Sequence, residues 1–183
     1  MLTNDKAAVA VRNLLTALGL NAEEPPLRDT PQRVAELYAR LFDGVGKDTS
    51  ALWGHTYATE NGGLVAIRQI PFCSVCEHHL MPFFGTADIV YWPSDYGVAG
   101  FGKFTELVKI LSHRPQIQER LTGDIAAAIM TGLQAQGVLV RLCATQLCLI
   151  TADKHTGQTV TTAAQGKLQA GEARYSEALE LLR

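Results

Sequence analysis

LVAIRQIPFCSVCEHHLMPFFGTADIVYW, residues 64–92, decides how the rest of the chain is read. The runs 64–72 and 85–92 are rich in β-branched and aromatic side chains, the composition of strands. Between them lie Cys73, Cys76, His78 and His79. The stretch therefore predicts two strands joined by a segment crowded with metal-binding and proton-transferring groups. Thiolate and imidazole suit a borderline-soft ion such as Zn²⁺, and a Cys and a His three apart can converge on one ion.

Downstream of this stretch, residues 103–112 and 115–136 carry helical periodicity, the second through Ile117, Leu121, Ile125, Ala128, Ile129 and Leu133, with Gly137 as its stop. Residues 138–151 then read as a long strand and 158–163 as a shorter one. A closing helix is expected over 172–182, with Tyr175, Ala178, Leu179 and Leu182 inward. The body is thus strand, strand, helix, helix, strand, strand: an α+β unit with a four-stranded sheet and helices on one face. Such a sheet has long edges, which proteins cover or pair, so a homo-oligomer is expected.

Upstream, residues 5–18 place Ala7, Val11, Leu14, Leu15 and Leu18 at helical spacing before Gly19. Asp29 offers an N-cap and Pro31 a first helical position for a second helix running toward Gly44. Residues 46–63 follow neither period and read as a linker. The expected division is a helical arm, 1–45, and a main body, 60–183.

Composition narrows the function classes. The 183 residues are 47% hydrophobic and 19% charged, enough for a substantial core. A formal charge of −2 gives no electrostatic case for nucleic acid or an anionic membrane surface. No apolar run approaches the roughly 20 residues of a membrane span, and residues 1–6 lack the pattern of an export signal, so the cytoplasm is expected. Four cysteines in that compartment are reduced thiols, ligands or core residues rather than a disulfide framework.

Spacing leaves three readings of these cysteines open. Cys73, Cys76, Cys143 and Cys148 could close a structural zinc site, although residues five apart on a regular strand, such as 143 and 148, face opposite sides. Cys76, His79 and Cys148 could hold zinc with one position left for water, the catalytic arrangement. Alternatively the cysteines are core residues beside a satisfied histidine pair.

Three further segments supply a resemblance. Arg28-Asp29-Thr30-Pro31-Gln32-Arg33-Val34-Ala35, Cys76-Glu77-His78-His79-Leu80-Met81-Pro82-Phe83-Phe84-Gly85 and Gln118-Glu119-Arg120-Leu121-Thr122 occur in order, followed by Ala144-Thr145-Gln146-Leu147-Cys148 and Thr159-Val160-Thr161-Thr162. Together they resemble the GTP cyclohydrolase I family over nearly the whole chain. The resemblance implies the tunnelling fold, in which subunits pair sheet edges into a ring, commonly a decamer, with active sites at subunit interfaces. It implies Cys76, His79 and Cys148 as zinc ligands and His78 beside the substrate. Gln118 and Glu119 would hold the guanine edge, with Lys103 and Thr145 also at the substrate. A carboxylate suits that edge because it accepts from both N1–H and the 2-amino group. Read without the resemblance, Glu119 is a solvated helix charge. The family's reaction attacks C8 of GTP, opens the imidazole ring, releases formate and rearranges the ribose to dihydroneopterin triphosphate.

This chain departs from the family pattern at the proton shuttle and the phosphate site. Two residues before the last cysteine the family has a proton-shuttling histidine, and here the residue is Gln146. On a strand, 146 and 148 share a face, so Gln146 is expected to point at the metal while being unable to titrate. His78 is the natural substitute; His113, more simply a surface residue, is a weaker one. Of the family's Ser-Lys pair and following Arg, only Lys103 survives, between Gly102 and Glu106. A further Arg is replaced around Ala152 and Asp153, with Lys154 and Arg68 as partial compensation. The implied reading is a zinc-dependent cyclohydrolase on a guanine-like purine with altered substrate or product. Its alternatives are an ordinary GTP cyclohydrolase I of folate or pterin biosynthesis, and a catalytically silent purine- or pterin-binding regulator. Cys73, three residues before a ligand, reads as a buried thiol with metal binding as its rival.

Overall fold

The computed structural model describes residues 4–58, 62–95, 97–152, 154 and 157–183. The chain forms two compact units, Met1–Asp43 and Gly44–Arg183.

The first unit is a pair of helices, α1 (Asn4–Ala17) and α2 (Thr30–Leu41), packed on each other. Ala22 and Ala35 are buried, whereas Leu14, Leu18 and Leu37 stay exposed. Pro31 sits in the first turn of α2 as expected, but Asp29 does not cap it. Its backbone is already helical and its carboxylate instead accepts from Arg33 Nη2 at 3.2 Å, one turn on.

The second unit runs from a 3-10 turn, Ser50–Leu52, through β1 (Val65–Cys76), β2 (Pro82–Trp92), α3 (Gly102–Ser112), β3 (Pro115–Gln116), α4 (Gln118–Leu133), β4 (Gly137–Gln146), α5 (Leu147–Ile150), β5 (Thr159–Gly166) and α6 (Tyr175–Leu181). The sheet has five strands in the order β3-β1-β2-β4-β5, antiparallel except for β1 with β3. The β, β, α, α, β, β order is the expected α+β succession, and β3 is the addition. Pro115 and Gln116 extend alongside Val75 and Cys76 instead of opening α4, because a residue before proline and a proline both favour extended backbone at a helix boundary.

Three further boundaries differ from the sequence reading. The strands β1 and β2 reach Cys76 and Pro82, so Cys73 lies within the sheet and only residues 77–81 form the loop. Helix α4 ends at Leu133 through Gln134 in left-handed conformation, and Gly137 starts β4. The long strand expected over 138–151 stops at Gln146, and residues 147–150 make one helical turn.

Alternation along β2 divides the core. Phe83, Ala87, Ile89 and Tyr91 face α3 and α4, packing with Phe104, Leu107, Leu121, Ile125 and Ile129. Each fully buried Leu, Ile or Phe contributes about 1.5–3 kcal/mol, which makes this layer the main source of stability. Helices are not confined to that face: Val90 and Leu139 point the other way and are covered by Leu168, Ala178 and Leu182 around α6. Gly85 sits where β2 crosses β4 so closely that a Cβ would overlap the Cys143 carbonyl.

Candidate metal centre and cleft

The loop after β1 is held by the backbone at both ends. Cys76 N–H donates to the Met81 carbonyl and Leu80 N–H to the Cys76 carbonyl, both at 2.9 Å, while Leu80 takes φ 52°. A left-handed leucine costs on the order of 1–2 kcal/mol, so the turn is imposed by these bonds rather than by local preference. Glu77 adds two ties, its N–H to the Gln116 carbonyl at 3.1 Å and its carboxylate to Arg120 of α4 at 2.7 Å.

This turn brings His79 to Cys76, and α5 brings Cys148. The two sulfurs and one imidazole nitrogen lie within 4.8 Å of one another. Cys148 reaches them by the helical turn after Gln146, not by sharing a strand face with it as the sequence suggested. Burial pushes the Cys148 thiol upward, and the adjoining Cys76 adds to that. A divalent cation would favour the thiolate at both positions, so this soft S, N, S donor set fits zinc, with room for a fourth ligand. Cys73 is three residues away on a strand and therefore on the opposite face; burial raises its thiol too. Neither Cys73 nor Cys143, which donates to Gln158 Oε1 at 3.2 Å, belongs to the cluster.

Beside the cluster opens a cleft of about 200 Å³. Cys76, His78, Gln118, Glu119, Gln146 and Cys148 line it, together with Phe83, Gln116, Ile117, Leu149 and Thr159. His78 Nδ1 lies 3.6 Å from Cys76 Sγ. Glu119, in the first turn of α4, is exposed at the rim. Gln118 is 3% exposed and fully engaged. Its Nε2 donates toward the Leu142 carbonyl, the Thr159 carbonyl at 2.9 Å and Thr161 Oγ1, and its Oε1 accepts from Gln146 Nε2 at 2.6 Å.

Not every sequence candidate meets in this cleft. Lys103, on α3, is not among the lining residues and lies 3.7 Å from Glu106. Thr145 pairs with Phe84 and so points to the other sheet face. Arg68 lines a separate cavity. His113 caps the C-terminus of α3, and Asp153 lies outside the described residues. The sequence reading missed Gln116 and Thr159, polar residues with no spacing signal; only β3 and the β4–β5 register bring them in.

Two cysteines and a histidine beside a carboxylate-rimmed cleft, on an α+β scaffold, define the kind of site that metal-assisted hydrolases use. A family profile described as GTP cyclohydrolase I matches residues 7–183. The GTP cyclohydrolase 1 of Streptococcus pyogenes serotype M18 (strain MGAS8232) is 38% identical over 183 residues, covering 99% of this chain and 94% of its own. That of Streptococcus thermophilus (strain CNRZ 1066) is 38% identical over 185 residues, covering 100% and 99%. Among solved structures, the apo archaeosine synthase QueF-Like overlays with a TM-score of 0.48 at 17% identity, covering 58% of this chain and 97% of that one. The chain belongs to the GTP cyclohydrolase I family.

Proposed function

We propose that this protein is a zinc-dependent cyclohydrolase that hydrolyses the imidazole ring of a guanine-type purine carrying fewer phosphates than GTP. The carrying observation is the convergence of Cys76, His79 and Cys148 within 4.8 Å beside a cleft rimmed by Glu119. Zinc held there by Cys76, His79 and Cys148 would supply a Lewis acid that brings the pKa of water toward about 7. Glu119 accepts from the N1–H and 2-amino donors of the base and so orients C8 toward the cysteines. His78, lining the cleft, moves protons as water adds at C8 and the C8–N9 bond breaks, leaving a formamide. Gln118 builds the wall and Gln146 braces it; neither can carry a proton.

Two observations support the altered substrate and product. Gln146 stands in the cleft as a carboxamide bound to Gln118, which removes a titrating group from the second half of the family reaction. Lys103 is partnered by Glu106, so its charge is partly spent before a polyphosphate arrives. An ordinary GTP cyclohydrolase I remains the second reading, favoured by the full-length 38% identity to proteins of that name. The active unit in both is a homo-oligomeric ring, a decamer in the reading adopted here. The uncovered edge of β5 and the exposed apolar side chain of Phe84 support that assembly.

Zinc-loaded protein incubated with GTP, GMP, guanosine and guanine, with formate assayed and products weighed by mass spectrometry, decides between the readings. A product heavier by one water without formate, or turnover only of substrates lacking the triphosphate, is expected. Formate with dihydroneopterin triphosphate from GTP would establish the ordinary activity instead.

A further inference from the structure

The sheet face opposite α3 and α4 is covered by α6 only near Val90 and Leu139. On the same face lies a second cavity, of about 260 Å³. Asp88 lines it with a side chain only 3% exposed. Its Oδ1 accepts the Gln69 N–H at 2.8 Å, and its Oδ2 accepts Arg141 Nε and Nη2 at 3.1 and 2.7 Å. A buried carboxylate bound in this way holds the guanidinium in one orientation and neutralises it.

Donors are left over. Arginine carries five N–H groups, and Asp88 takes two of those on Arg141. Among the described residues the others meet no acceptor, and the side chain is 31% exposed. Arg68 lines the same cavity and gives one N–H to the Arg183 main-chain oxygen at 2.8 Å. Two guanidiniums thus border the cavity, and Asp88 is bound to only one of them.

The backbone at this place is strained as well. Gln69 takes φ 57° where the register of β1 against β2 shifts between Ile67 and Ile70. A side-chain-bearing residue in that region costs on the order of 1–3 kcal/mol. Its N–H is bound by Asp88, so the strained residue and the buried charge are parts of one arrangement. The metal cleft is elsewhere: along β4, Arg141 and Cys143 line this cavity, whereas Gln146 lines the cleft.

We propose that this cavity binds a small organic anion, its oxyanion head gripped by the guanidinium forks of Arg68 and Arg141 and its short apolar body resting on Val160 and Cys143. Planar forks favour carboxylate or phosphate-type oxygens. The cavity, of about 260 Å³, shares no lining residue with the metal cleft.

Isothermal titration of the zinc-loaded protein with isobutyrate and with inorganic phosphate, at constant ionic strength, tests this. Saturable binding of isobutyrate with a Kd on the order of 1 mM is expected. Arg68→Gln weakens it about tenfold, and Glu119→Gln, in the other cleft, leaves it unchanged. Val160→Asp, at a position 56% exposed, weakens it from the apolar side without touching the buried pair. No saturable heat from either probe, or binding indifferent to Arg68→Gln, overturns the site. Loss on Glu119→Gln would move the binding to the metal cleft, and binding of phosphate alone would overturn the apolar contact.

Discussion

Gln146 shows how much one side chain decides. Its amide donates to Gln118 at 2.6 Å, a bond that a histidine nitrogen at the same position could replace while also carrying a proton. Gln146→His is expected to raise formate release from the guanine-type substrate by about 10²-fold, read in a coupled formate assay, at the expense of ring-opened product. Cys148→Ser removes one of two sulfur donors; bound zinc after desalting should fall well below one per chain by elemental analysis, and turnover with it. A third residue, Gly132 of α4, leaves no space for a methyl group because a Cβ would overlap the Trp53 indole. Gly132→Ala should cost about 1–3 kcal/mol in urea unfolding, despite the helix preference for alanine.

At the scale of elements, the sheet is tied across its face by Asp88 and Arg141, on paired positions of β2 and β4. Asp88→Ala strands a half-buried guanidinium and frees the Gln69 N–H, an expected loss of about 2–4 kcal/mol in chemical denaturation. Long elements were legible from the sequence because their periods are: α4 through Ile117 to Leu133, β2 through its β-branched and aromatic run. Two residues of β3 and four of α5 carry no period at all. Cys148 of α5 therefore follows a strand pattern in sequence, and Gln116 of β3 a helical one. The Cys76–His79 pairing was visible from spacing, since a turn of that length returns the chain on itself. Cys148 depended on tertiary structure, as did the withdrawal of Lys103 and Thr145 from the cleft.

For the molecule as a whole, an ion pair at the start of α6 supplies a pH-dependent tie. Arg174 stacks over Trp92 at 4.6 Å and donates to both oxygens of Glu177 at 2.7 Å. That hydrogen bond holds the Glu177 carboxyl below its usual value. A depressed carboxyl contributes stability above its unfolded pKa and loses it as pH falls through the folded one. Acidification below the ordinary carboxylate range should therefore loosen α6 before the sheet yields. Trp92 fluorescence in a Trp53→Phe background should report it, and Glu177→Gln should remove the pH dependence.

The left-handed Leu80 and the two backbone bonds around it mean that the histidine-bearing turn is shaped by the chain itself. Ion capture at such a turn is docking onto a finished surface, not a coil-to-order transition. Its rate would follow diffusion and water loss from the ion, and the far-ultraviolet dichroism of the apoprotein and the loaded protein would superimpose.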